Sequence, residues 1–332
     1  MFVELVCLIL MADPLWTLGL PEVPQGSVWV DEKGESATVL TIPGQIVRVD
    51  MATGKKLWER SLGSFASCDM VVSGGRVLAA GGGRGKTTKC FDLDGKHLWE
   101  RTLRNVVGLA LDSDMAVILQ LDGQLLAVDA GTGRLLWEKR LTPPSTTAPI
   151  ITVDAVVVAD GEGTVLWLNR SDGDEQRRLA TGHTILHMTM VGDGMLACLS
   201  ESGMLTIWDK AGEKVWQIEG IKSPSDMIIA GNRLIVADAL GEITAYGVEH
   251  GSAEWHAVLG EPLASRLWCD NVSSWLIAGG SDGTVKVWSL TDGSEISSVK
   301  VAKRAGMVAS TGDTVLVGSN EMKLRAYKMD VK

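Results

Sequence analysis

Several side chains in this 332-residue sequence are of types that could do chemistry. His183 and His187, in GHTILH, stand four apart. On a strand, residues at that spacing point to one side, and two imidazoles there would supply half of a metal site. No third ligand is close in sequence, so the plainer reading is two polar residues beside a channel, and no metal is assigned. Gly81-Gly82-Gly83-Arg84-Gly85-Lys86-Thr87 ends like a phosphate loop, but Ala80 stands where that motif requires its first glycine. A phosphate loop must also run from strand into helix, whereas Lys89-Cys90-Phe91-Asp92 reads as a strand. The cysteines are Cys7, Cys68, Cys90, Cys198 and Cys269, an odd set with no C-x-x-C spacing. They read as small buried hydrophobes in a reducing compartment rather than as disulfides or zinc ligands. No serine, histidine and aspartate pattern marks a nucleophile elbow or a triad.

The elements that must position these residues are set by a repeat. Tryptophan is in excess, 12 residues against 3 Phe and 2 Tyr. Aligning the segments that end in tryptophan gives slots at Trp16, Trp58, Trp99, Trp137, Arg177, Trp216, Trp255 and Ser297, spaced by about 40 residues. A period of that size is searched for before any other signal, because it fixes the architecture. Within each unit, alternating or β-branched runs flank turns such as Asp94-Gly95, Asp122-Gly123, Asp160-Gly161, Asp172-Gly173, Ser281-Asp282-Gly283 and Asp292-Gly293. These glycines supply the positive φ that tight turns require, which accounts for much of the total of 38. One more apolar strand precedes each pair, as in Asp69–Ser73, Gly108–Leu111 and Asp226–Ala230. Four strands per unit and eight units predict an all-β, eight-bladed β-propeller with four-stranded antiparallel blades. The last unit lacks a tryptophan-bearing strand and the first has only that strand. The expectation is therefore that the N-terminal strand around Trp16 closes the last blade.

The segments VDMATGKKLW (49–58) and VDAGTGRLLW (128–137) resemble the tryptophan-docking repeat of the pyrroloquinoline-quinone (PQQ)-like, or quinoprotein alcohol dehydrogenase-like, propeller superfamily, from Trp16 to the end of the chain. SGMLTIWDKAGE (202–213) and SDGTVKVWSLTDGSE (281–295) look more like WD-repeat blades, so a seven-bladed WD-type closure is the structural alternative. Gly182-His183 likewise matches the structural Gly-His of WD-type blades. The resemblance implies that Trp16, Trp58, Trp99, Trp137, Trp216 and Trp255 are structural docking residues. In such a slot an indole stacks on a peptide plane of the next blade and donates its N–H to a carbonyl.

Quinone dehydrogenases share this scaffold, but their adjacent cysteine pair and their Asp/Glu/Asn calcium set are missing here. No catalytic residue, cofactor or metal is therefore assigned, and the protein is expected not to be an enzyme. Aligning the innermost strands places Asp69, Gly108, His187, Asp226, Arg266 and Gly306 near one level. Asp69, His187, Asp226 and Arg266 are thus candidate channel-lining residues, of a ligand pocket or simply of a water-filled pore.

Net charge is −10 and the charges are dispersed, so nucleic acid is not an expected partner. Residues 1–12 read as an apolar leader or an upstream extension, and residues 13–332 as a single propeller domain. The run Leu5–Ala12 is far shorter than the ~20 residues of a membrane span, so no integral membrane segment is expected. It also lacks the basic start of an export signal. Met11 is an alternative start, and Cys7 falls early for a lipoprotein site. These features give the expectation of a monomeric, cytoplasmic, non-catalytic scaffold that binds an unidentified protein partner. The alternatives are an exported propeller of the outer-membrane-assembly type and a quinone- or metal-dependent oxidoreductase.

Overall fold

A computed structural model describes residues 13–83, 86–270, 273–301 and 303–329. Cys7, Met11 and the rest of residues 1–12 lie outside the described residues, as do Arg84 and Gly85 of the glycine-rich string. The described chain forms eight four-stranded antiparallel sheets. Seven are continuous in sequence and occupy residues 24–61, 71–102, 106–140, 150–180, 185–218, 224–258 and 268–300, as blades 1 to 7. Blade 8 joins residues 305–328 to Trp16–Gly19, and Trp16 pairs with Ala326 in the antiparallel ladder. This is the expected eight-bladed ring with its N-terminal closure; the seven-bladed alternative does not form.

Within each blade the strands are lettered a to d from the channel outward. Strand b is buried on both faces because a blade packs against a neighbour on each side. Ser36–Thr41, Met115–Gln120 and Ala155–Ala159 are buried at every position. The outermost strands alternate instead, as in Leu135–Arg140. Eight apolar clusters result, one in each seam between blades. Leu78, Cys90, Leu109, Ile118 and Leu126 fill the seam of blades 2 and 3. Leu20, Val39, Val47, Met307 and Leu316 fill the closing seam of blades 8 and 1.

The tryptophan slots clamp these seams from outside. Each indole Nε1–H donates to a carbonyl in the c–d turn of the next blade: Trp16 to Met51 (2.8 Å), Trp58 to Leu93 (2.8 Å), Trp99 to Ala130 (2.8 Å), Trp137 to Arg170 (2.9 Å), Trp216 to Val248 (2.7 Å) and Trp255 to Leu290 (3.1 Å). The ring lies over the glycine of that turn. A Cβ on Gly133, where φ is +70°, would sit 2.6 Å from Cδ2 of Trp99. Only a glycine there permits both the left-handed turn and the stacking.

The two slots without tryptophan have different causes. Arg177 keeps the geometry: its guanidinium donates to the Lys210 carbonyl and its Nη2 approaches Gly212. It also stacks on Trp167, its cross-strand partner, at 4.2 Å from the ring centroid. Ser297 has nothing to clamp, because the c and d strands of blade 8 come from opposite ends of the chain and no turn joins them. In this seam Trp275, Tyr327 and Met329 are packed inside, and Trp275 supplies bulk there as strand b of blade 7 begins.

One turn differs from expectation. At Asp160-Gly161 the positive φ belongs to Gly163, and the Asp160 carboxylate accepts the amides of Glu162 and Thr164.

Candidate functional site

In a four-stranded meander, the b–c turns and the connections between blades emerge on one face of the ring, while the a–b and c–d turns emerge on the other. The connections on the first face deliver polar residues to the channel just before strand a. Asp69 precedes Val71–Ser73 of blade 2, and Arg266 precedes Trp268–Asp270 of blade 7. His187 lies within Ile185–Val191 of blade 5, and Asp226 within Pro224–Ala230 of blade 6.

The structure brings three of these four together directly. Nη1 of Arg266 contacts Oδ1 of Asp226 at 3.2 Å, and the other Asp226 oxygen accepts the Leu267 amide at 2.7 Å. On its opposite side, Nε of Arg266 stands 3.7 Å from Oδ2 of Asp69, although blades 8 and 1 intervene between blades 7 and 2 in the ring. Asp69 is seated against Gly26 of blade 1, where a Cβ would fall 1.7 Å from its Oδ1. His187 stands one blade from Asp226, and its Nε2 donates to the Ser225 carbonyl at 3.0 Å, which leaves the proton on that nitrogen. Asp69, His187 and Arg266 line a cavity of about 480 Å³ with Ser67, Cys68 and Thr146. Gly108 also borders it, whereas Gly306 borders a second cavity of about 610 Å³ beside Gly26, Arg304 and Ile42.

Burial governs the ionisation of these groups. It pushes the Asp69 carboxyl above its ordinary value, with Arg266 opposing and the Asp226 charge adding. It pulls the His187 imidazole below its ordinary value, against the favourable Asp226 charge and the Ser225 carbonyl. Burial also raises the thiols of Cys68, Cys90 and Cys198 to about 12 and that of Cys269 to about 11. Thiols so held are protonated and weakly nucleophilic.

The two-histidine reading fails geometrically. Strand a of blade 5 begins at Ile185, leaving His183 in the preceding connection, and the ladder shifts register between Ile185 and His187. The two rings therefore do not share one strand face. Among the described residues no three His, Cys, Asp or Glu side chains gather as a metal set would require. Strand Thr87–Asp92 follows the glycine-rich string directly, where a phosphate loop needs a helix.

Sequence reasoning missed a second feature of the same face. Ile42, Leu121, Leu240 and Met322 are exposed in b–c turns, and Phe65 is exposed on the connection from blade 1 to blade 2. Ile42 and Phe65 are neighbours, since the Ala66 amide donates to the Ile42 carbonyl at 2.9 Å. Of the other large exposed apolar residues, Leu15 directly precedes the Trp16–Gly19 strand, Leu57, Leu135, Leu136, Val215 and Val258 lie on outer strands, and Val153 lies on the opposite face. The available signal was an apolar residue inside an otherwise polar turn, as in Gln120-Leu121-Asp122-Gly123.

Eight blades, glycine turns and docked indoles define a PQQ-like repeat propeller. A family model described as outer membrane protein assembly factor BamB matches residues 13–147 and, overlapping, 83–280, and the chain belongs to that family. BamB of Burkholderia pseudomallei is 22% identical over 351 residues, covering 93% of this chain and 88% of that protein. BamB of Xanthomonas campestris pv. campestris is 28% identical over 192 residues, 52% of this chain and 47% of that protein, so this match spans about half the length of that relative. The crystal structure of BamB from Moraxella catarrhalis superposes with a TM-score of 0.72 at 14% identity, covering 96% of this chain and 98% of that one. At that identity the superposition shows the shared fold alone.

The cytoplasmic location expected from the sequence is overturned by these relatives, which are named for outer-membrane assembly. The expectation leaned on unpaired cysteines, and the structure explains why they mislead. The four described thiols are shielded by burial, which holds them protonated, so they carry no imprint of a reducing or oxidising compartment.

Proposed function

We propose that this protein is a non-catalytic assembly factor for outer-membrane proteins, acting as a rigid propeller that holds a protein partner outside the cytoplasm. The observation that carries this reading is the family match running from residue 13 to residue 280. The ring is fastened at seven seams by Trp or Arg clamps, which suits a scaffold that presents a fixed surface. The partner-binding face is the one with Ile42, Phe65, Leu121, Leu240 and Met322, because apolar side chains in exposed turns are what a partner would bury. The test is deletion of the gene in the native host, with quantification of outer-membrane β-barrel proteins and fractionation of the tagged chain. Reduced barrel levels and recovery with the outer membrane are expected. Unchanged barrel levels with the protein in the cytoplasmic fraction would overturn the reading.

A further inference from the structure

Asp69 and Arg266 meet in the channel cavity with bonding capacity to spare. Arg266 commits Nη1 to Asp226, while its Nε is too far from Asp69, at 3.7 Å, for a hydrogen bond. Among the described residues no hydrogen bond reaches the Asp69 carboxylate. Both side chains remain accessible, Arg266 at 45% and Asp69 at 34% exposure, whereas Asp226 is closed off at 7%. An accessible guanidinium and an accessible carboxylate thus stand side by side, both facing about 480 Å³ of space. Val71, Val107, Leu109 and Leu186 supply apolar wall around them.

Charge balance decides what fits. Two carboxylates, Asp69 and Asp226, face one guanidinium, and burial holds His187 toward its neutral form. An anion on Arg266 would add to an existing negative excess. A simple cation on Asp69 would leave the guanidinium N–H groups unmatched, which is costly once water is displaced. A zwitterion satisfies both groups, adds no net charge and forms charge-assisted hydrogen bonds at each end. In an α-amino acid the ammonium and carboxylate share one carbon, so their separation is close to that of Asp69 and Arg266. The cavity also falls in the ~300–1,000 Å³ range of small-molecule sites.

We propose that the channel cavity binds a free α-amino acid with an apolar side chain, its carboxylate on Arg266, its ammonium on Asp69 and its side chain against Val71 and Leu109. This goes beyond the assembly role and is independent of it. His187 and Thr146 border the site, and Gly26 is the backbone that lets Asp69 take its position.

The test is titration calorimetry of the purified full chain with L-leucine, N-acetyl-leucine and leucinamide. The first keeps both charges, the second lacks the ammonium and the third lacks the carboxylate. Saturable binding of leucine is expected, with each capped analogue at least ten-fold weaker. Arg266→Gln and Asp69→Asn should each weaken leucine at least ten-fold. The analogue series uses the native chain, so it stands even if a variant folds poorly. Absence of saturable leucine binding, or equal binding of all three compounds, would overturn the proposal.

Discussion

The indole of Trp16 donates to the carbonyl of Met51 at 2.8 Å, and its ring covers Gly54. One side chain therefore fastens blade 1 to a strand that belongs to blade 8. Trp16→Ala should lower unfolding free energy by about 2 kcal/mol, less than the ~3–5 kcal/mol typical of fully buried aromatics. Trp99→Ala should cost more, because Trp99 is buried and reaches Ala130 with the same bond. Chemical denaturation of both variants checks the order.

Gly133 and Gly63 both have positive φ, +70° and +78°, but only Gly133 lies under a ring. Alanine at either position incurs backbone strain, and at Gly133 it also collides with Trp99. Both substitutions should destabilise by more than about 1 kcal/mol, with Gly133→Ala the worse of the two. Melting temperatures would show the difference.

Arg48 interrupts an apolar row. The cross-strand row Trp29, Thr38, Arg48 and Trp58 of blade 1 corresponds to Ile228, Ile235, Ala245 and Trp255 in blade 6. Arg48 is buried, stands 5.3 Å from the Trp29 ring centroid and pairs with Asp31 at 3.5 Å. Arg48→Met should be the milder change, since Asp31 keeps the Glu35 amide and the Ser36 hydroxyl as donors when the guanidinium is gone. Asp31→Ala should cost about 3 kcal/mol by stranding the guanidinium. Urea midpoints for the two variants should move in these unequal ways.

Burial keeps the folded-state pKa of His187 below the ordinary 6.5. Between those two values the unfolded chain holds more protons on this ring than the folded one. Stability therefore falls as pH drops below 6.5, and the loss is complete below the folded-state value. Asp69, raised from 3.8, acts in the opposite sense and costs stability as pH rises through its folded-state value. Denaturation midpoints across about pH 4–7 should show His187→Asn removing part of the acid-side loss. Asp69→Asn should gain on the native chain toward the upper end.

Phe65 and Leu240 are exposed, so a charge at either position should alter stability by no more than about 0.5 kcal/mol. If the turn face holds the partner, Phe65→Glu combined with Leu240→Glu should abolish co-purification of that partner from the native host. Retained co-purification would move the docking surface elsewhere.

The ring was legible in the sequence because its signals are local and repeated: a glycine turn, a tryptophan four residues on, and the same pair a blade later. What escaped depended on the closed circle. Ser297 reads as a decayed slot in sequence, whereas in space it faces a seam whose c and d strands no turn joins. Trp167 gained its partner only when the register set it opposite Arg177. The channel cluster was half legible, since repeat alignment brought Asp69, His187, Asp226 and Arg266 to a common level. It could not show that Arg266 reaches both aspartates or that a register shift removes His183 from the strand. Arg48 was passed over because a lone arginine in a strand gives no sign of which layer it enters.

The Trp16–Gly19 strand runs antiparallel to Lys323–Lys328, so the two described chain ends meet at one corner of blade 8. Force applied between those ends would meet the ladder in an unzipping direction, one pair at a time, rather than in shear. The molecule should therefore be mechanically weak along this single axis. Its other seven blades, each a continuous stretch of chain, would be shielded until blade 8 had peeled away.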